Sequence, residues 1–168
     1  MLAGAETSGG AERALSRVLA ANTLVGVVIG ALIIPAMIWF LDAPPPIELV
    51  GKHGVLVGLT LGAFFQVFAT GIAVTLALRK QVRRGSLHPL APEAFPWATR
   101  LPRNCALRAL LLAAFALALL VPAGLAICAM FHLYPLSKPQ FAAFNSIYGA
   151  LIAILITPVV AVAALSDR

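Results

Sequence analysis

Four long apolar runs, Val18–Leu41, Val55–Leu78, Cys105–Phe131 and Phe141–Leu165, dominate this chain, and nearly all its charged residues lie outside them. No run contains an acidic residue, and Arg108, close to the start of the third, is their only basic one. An α-helix rises about 1.5 Å per residue, so each run can cross a hydrocarbon layer of about 30 Å. The pattern predicts an all-α membrane protein, a four-transmembrane-helix bundle with spans over about 18–41, 55–78, 105–131 and 141–165. Residues 13–168 read as one membrane domain, and residues 1–12, with Gly4, Ser8, Gly9 and Gly10, as a flexible tail.

Short connections set the expected neighbours. Asp42–Gly54 carries Pro44-Pro45-Pro46, and His132–Gln140 carries Tyr134, Pro135 and Pro139. Both are short enough to predict two antiparallel hairpins, spans one with two and three with four. The middle connection, about 79–104, holds Pro89, Pro92, Pro96 and Pro102, which forbid a continuous helix. It reads as an irregular segment on the membrane surface, with Trp97 at headgroup level. Sliding the chain along itself without a gap, so that Pro35 falls on Pro122, also sets Gly62 on Gly149 and Thr70 on Thr157. These matches suggest two tandem hairpins related by an axis along the membrane normal. Four apolar helices of similar composition would align almost as well.

Within the runs, small residues recur at steps of four, which places them on one side of a helix. Span two carries Gly54, Gly58, Gly62, Gln66 and Thr70. Span four carries Asn145, Gly149, Ala153, Thr157 and Ala161, and span one Asn22, Gly26 and Gly30. Span three offers Ala114, Ala118, Pro122 and Ala126. In lipid, helices associate by close packing and hydrogen bonds rather than by hydrophobic burial. Glycine faces admit a neighbouring backbone. Gln66, Asn145, Thr70 and Thr157 are expected to bond across the interface, at about 0.6 kcal/mol each. Phe64, Phe65, Phe68, Ile152 and Leu155 are expected on the outer sides. The same faces serve either contacts within one chain or docking of another membrane helix.

Prolines inside the runs are expected to kink three helices, at Pro35, Pro122 and Pro158. Each lacks an amide donor and frees the carbonyl four residues earlier, on Ala31, Ala118 and Ile154. Within hydrocarbon such carbonyls need another donor.

Composition sharpens the reading. Of 168 residues, 61% are hydrophobic and only 11% charged, and the net charge is +6. A soluble domain is nearer half apolar and about a quarter charged. The cations flank the spans, so orientation explains them better than nucleic-acid binding. Arg13 and Arg17 precede span one, and Arg79, Lys80, Arg83, Arg84, Arg100 and Arg103 fill the middle connection. Only Lys52 and Lys138 lie in the other two connections. The positive-inside rule then sets both termini and the middle connection in the cytoplasm, where the basic cluster meets anionic lipid headgroups. An alanine-rich chain that favours arginine over lysine points to a bacterial inner membrane.

Candidate chemistry is thin. No acidic or histidine residue lies deep in a run, whereas proton-coupled carriers keep an ionisable group there. Cys105 and Cys128 sit near opposite ends of span three, roughly 34 Å apart by helical rise, too far to pair. His53 and His132 both fall at the outer boundary, where a haem or metal is conceivable but a hydrated interface is the simpler reading. Ser86, Ser137 and Ser146 lack an activating neighbour, and Asp42, Glu48, Lys52 and His53 read as a solvated loop. No cofactor, metal site or catalytic residue is expected. The expected role is non-catalytic: an accessory, assembly or scaffold subunit that packs against other membrane helices as a homo-oligomer or within a larger complex. The second reading is a small transporter or channel for a neutral or lipid-like solute.

Overall fold

In the computed structural model, residues 3–33, 36, 54–87, 89–90, 95–133 and 135–166 are described. Helix α1 spans Ala3–Val28 and runs directly into a π-helical turn, Ile29–Ile33. Helices α2, α3 and α4 span Val55–Arg83, Cys105–Met130 and Lys138–Leu165. A 3-10 turn, Ala98–Arg100, interrupts the connection between α2 and α3. All regular structure among the described residues is helical. α2, α3 and α4 are long and apolar enough to cross a membrane. Of the first helix, the described apolar part, Ser16–Leu32, is shorter. The outer part of the first apolar run, including Pro35, lies outside the described residues except for residue 36.

Element ends differ from the sequence reading for local reasons. α1 starts at Ala3, so residues expected as a flexible tail are helical. Ala3, Ala5, Glu6, Ala11 and Glu12 are strong helix formers and outweigh the three glycines. α2 continues past the apolar run to Arg83, so Arg79, Lys80 and Arg83 are helical rather than loop residues. It stops where Gly85 adopts φ 71°, with Gly85 N–H donating to Val82 O and Ser86 N–H to Gln81 O. That paired-bond ending needs a left-handed residue, which glycine supplies without strain. α3 ends in the same way with His132 at φ 50°. Here His132 N–H donates to Ala129 O and Leu133 N–H to Cys128 O. α3 starts on Asn104, whose Oδ1 accepts from the amides of Ala106 and Leu107 at 3.0 and 3.3 Å. α4 starts on Ser137, whose amide and hydroxyl both donate to Gln140 Oε1, at 2.9 and 2.8 Å. Ser137 is thereby a helix cap.

The expected hairpin pairs are corrected. Among the described residues the extensive backbone contacts are α2 with α3, α2 with α4, and α4 with α1 and its π turn, while α1 and α2 touch only briefly. Short connections make helices antiparallel, but side-chain complementarity decides which faces close. The contact order also survives exchange of the two halves: α1–α4 maps onto α3–α2, and α2–α4 onto itself. That order is compatible with two related halves, as are other symmetric orders.

Two apolar clusters fill the bundle. At one end Val55, Leu59, Ala63, Ala113, Ala116, Cys128, Phe141 and Ile152 meet. At the arginine-rich end Val74, Leu78, Leu87, Val160, Ala164 and Leu165 meet. The connection after α2 belongs to that second cluster: Leu87 and Ala98 are buried, and Leu90 N–H donates to Leu165 O at 2.9 Å. Its described residues pack against the end of the bundle. Ile152, expected outside, is only 1% exposed, because α4 is covered by α1 on one side and α2 on the other. Phe64 and Phe68 stack with centroids 5.7 Å apart and are half-buried against the core. Phe65 and Leu155 do face outward.

Candidate functional site

The small-residue ladders of α1, α2 and α4 meet inside the protomer. Gly30 rests on Gly149 so closely that a Cβ on Gly30 would lie 2.8 Å from the Gly149 carbonyl carbon and oxygen. A Cβ on Gly149 would lie 2.7 Å from Gly30 O. Only two glycines permit that backbone approach. Lower on α2, a Cβ on Gly58 would overlap the Phe141 ring. Gly54 is buried and Gly62 half-buried on the same helix.

This closeness brings polar groups into the seam between α1, α2 and α4. Gln66, 2% exposed, reaches from α2 and donates through Nε2 to Gly26 O at 2.8 Å. Ser146 on α4 lies 3.0 Å from Ala31 O across the seam and 3.0 Å from Ala142 O on its own helix. A hydroxyl has one proton, so it divides its donation between them. In the sequence Ala31 stands four residues before Pro35, which itself lies outside the described residues and carries no amide N–H. The π turn falls at the same place, Ile29–Ile33, where the helical ladder must be rearranged. Thr157, 0% exposed, directs Oγ1 toward Gly26 from the other side, 3.5 Å from where a Gly26 Cβ would stand. Two buried oxygens in this seam, Gln66 Oε1 and Thr157 Oγ1, have no hydrogen-bond partner.

Of the side chains expected to bond across an interface, Gln66 does so. Asn145 is buried but donates to Phe141 O, 3.0 Å away on its own helix. Thr157 makes no such bond, and Thr70 is buried on α2. Ser146 was not singled out for packing. The signal for it was present, since Pro35 demands a donor for Ala31 O and Ser146 lies one residue past Asn145 on the polar ladder. Pro122 and Pro158 lie within continuous helices and face outward, as do Ala118 and Ile154, whose carbonyls they free.

Arg108 is the larger omission. It is 1% exposed, with Nη1 donating to Ala163 O at 2.9 Å and Nη2 to Thr75 Oγ1 at 3.5 Å. Ala163 lies in the last turn of α4, whose carbonyls lack helical donors and carry the negative end of the helix dipole. The guanidinium therefore joins α3, α2 and α4 at the arginine-rich end. Its place inside an apolar run was the available clue. Nearby, Gly71 lets α2 approach α3, since a Cβ there would lie 2.9 Å from Ala109 Cβ.

The basic cluster stays together. Arg79 donates through Nη2 to Arg103 O at 2.6 Å, tying the start of α3 to the end of α2. Lys80, Arg83, Arg84, Arg100 and Arg103 are exposed, with Trp97 exposed beside them. His53 lies outside the described residues, so its pairing with His132 does too. Among the described residues no three His, Cys, Asp or Glu side chains gather as metal ligands. The seam can bind by hydrogen bonding but holds no nucleophile beside a base. Comparison of the chain with protein-family models, with curated proteins and with solved structures finds no match in any of the three.

Proposed function

We propose that the chain crosses a bacterial inner membrane four times, with both termini and the arginine-rich end in the cytoplasm. There it serves as a non-catalytic accessory, assembly or scaffold subunit that docks other membrane helices. One observation carries this reading. The small ladders of α1, α2 and α4 are used up inside the protomer, but that of α3 is not. Ala114, Ala118, Pro122 and Ala126 all face outward, flanked by exposed Leu111, Phe115 and Leu119. A ridge of small residues between large ones is the shape that a second membrane helix fits. The exposed cations and Trp97 at the arginine-rich end suit anionic headgroups, which would fix the depth of the bundle. Native mass spectrometry in mild detergent tests the role. It should detect a homo-oligomer or a complex with a larger membrane partner, and a monomer under every condition would contradict it.

The second reading, a transporter or channel for a neutral solute, draws on the partnerless oxygens of Gln66 and Thr157 in the seam. Liposomes carrying the protein that stay tight to uncharged solutes would exclude it.

A further inference from the structure

We propose that the junction of α1, α2 and α4 around Gly26 is a binding site for a hydroxyl group, supplied by water or by a small neutral alcohol. Gln66 is held in place by its bond to Gly26 O, which uses Nε2 and leaves Oε1 as an acceptor awaiting a proton. Thr157 brings a hydroxyl that can donate or accept to the same glycine. Neither oxygen reaches solvent, and neither has a protein partner. A buried polar atom left without a partner costs far more than one that is paired, so a guest hydroxyl that met either oxygen would stabilise the junction. Oxygen acceptors beside an amide N–H, with no carboxylate among the described residues of the seam, favour an uncharged guest over a cation.

The location adds weight. Gln66 and Thr157 stand on α2 and α4, which pack together and come one from each of the two halves that the sequence suggests as repeats. Thr70 and Thr157 are equivalent positions of that repeat, and both are buried. Where transporters are built from repeats, their sites lie at such boundaries near mid-membrane. The π turn of α1 begins three residues beyond Gly26, and π turns recur at functional sites. The inference is independent of the outward ridge on α3, so a monomeric protein would leave it standing.

The test is solid-state NMR of the full chain in lipid bilayers. With water as the probe, polarisation transfer should reach the Gln66 side-chain amide as fast as it reaches exposed Lys80. In a sample equilibrated with carbon-labelled glycerol, transfer from glycerol to that amide identifies the alcohol as the source instead. Transfer from neither probe, with Gln66 as dry as Leu59 and Val67 beside it, overturns the proposal. Thr157→Val removes the hydroxyl at nearly constant shape. It should weaken the transfer and lower the thermal midpoint, whereas a raised midpoint would mark a dry, unsatisfied hydroxyl and overturn the site. Should that variant fail to fold, Thr157→Ser keeps the hydroxyl and should keep the transfer; its loss there also counts against the site.

Discussion

The Ser146 hydroxyl on α4 lies 3.0 Å from Ala31 O, a carbonyl of the π turn that follows α1. This contact latches the end of α1 to α4 where the regular α-helical bonding pattern changes. Ser146→Ala should destabilise the protein by about 0.5–1.5 kcal/mol, since Ala142 O shares the same proton and the seam stays packed. Thermal unfolding in detergent measures this. An unchanged midpoint would mean that Ala31 O finds another donor.

Gly149→Ala should cost more, about 1–3 kcal/mol, because the added methyl meets rigid backbone at Gly30 rather than a side chain that can move. Gly58→Leu should abolish folding or expression through its overlap with Phe141. Expression level and monodispersity in detergent check both. A well-folded but smaller particle from Gly58→Leu would place that glycine between subunits instead.

Arg108→Met should lose about 1–3 kcal/mol by leaving Ala163 O and Thr75 Oγ1 without the guanidinium. Arg108→Lys should recover only part of this, because one ammonium on a shorter reach cannot reproduce a planar fork that serves two helices. Equal midpoints for lysine and arginine would show that charge alone matters there.

Ala118→Leu changes the outward ridge of α3 and touches no internal seam. It should leave the protomer folded and dissociate any oligomer or complex in native mass spectra. An assembly that survives the substitution would direct the search to another face.

Much of this architecture was legible from periodicity alone. Three of the four apolar runs form helices close to their expected limits, and the Gly58, Gly62, Gln66 ladder does face inward. Neighbour order was not legible, because a connection fixes direction while contacts such as Gly30 on Gly149 fix partners. Arg108 and Ser146 escaped for a related reason: each becomes a staple only through a carbonyl on another helix. Asn145 misled because an asparagine four residues after Phe141 can satisfy its own helix first. Ile152 misled because large residues were assigned outward, although α4 is enclosed on two sides.

The first helix decides the membrane topology, since only part of its apolar run, Ser16–Leu32, is among the described residues. Paired reporters fused at Met1 and Arg168, one active only in the cytoplasm and one only outside it, measure that directly. Four crossings require both ends to report cytoplasmic; ends that emerge on opposite faces would mean three crossings and contradict the proposed topology.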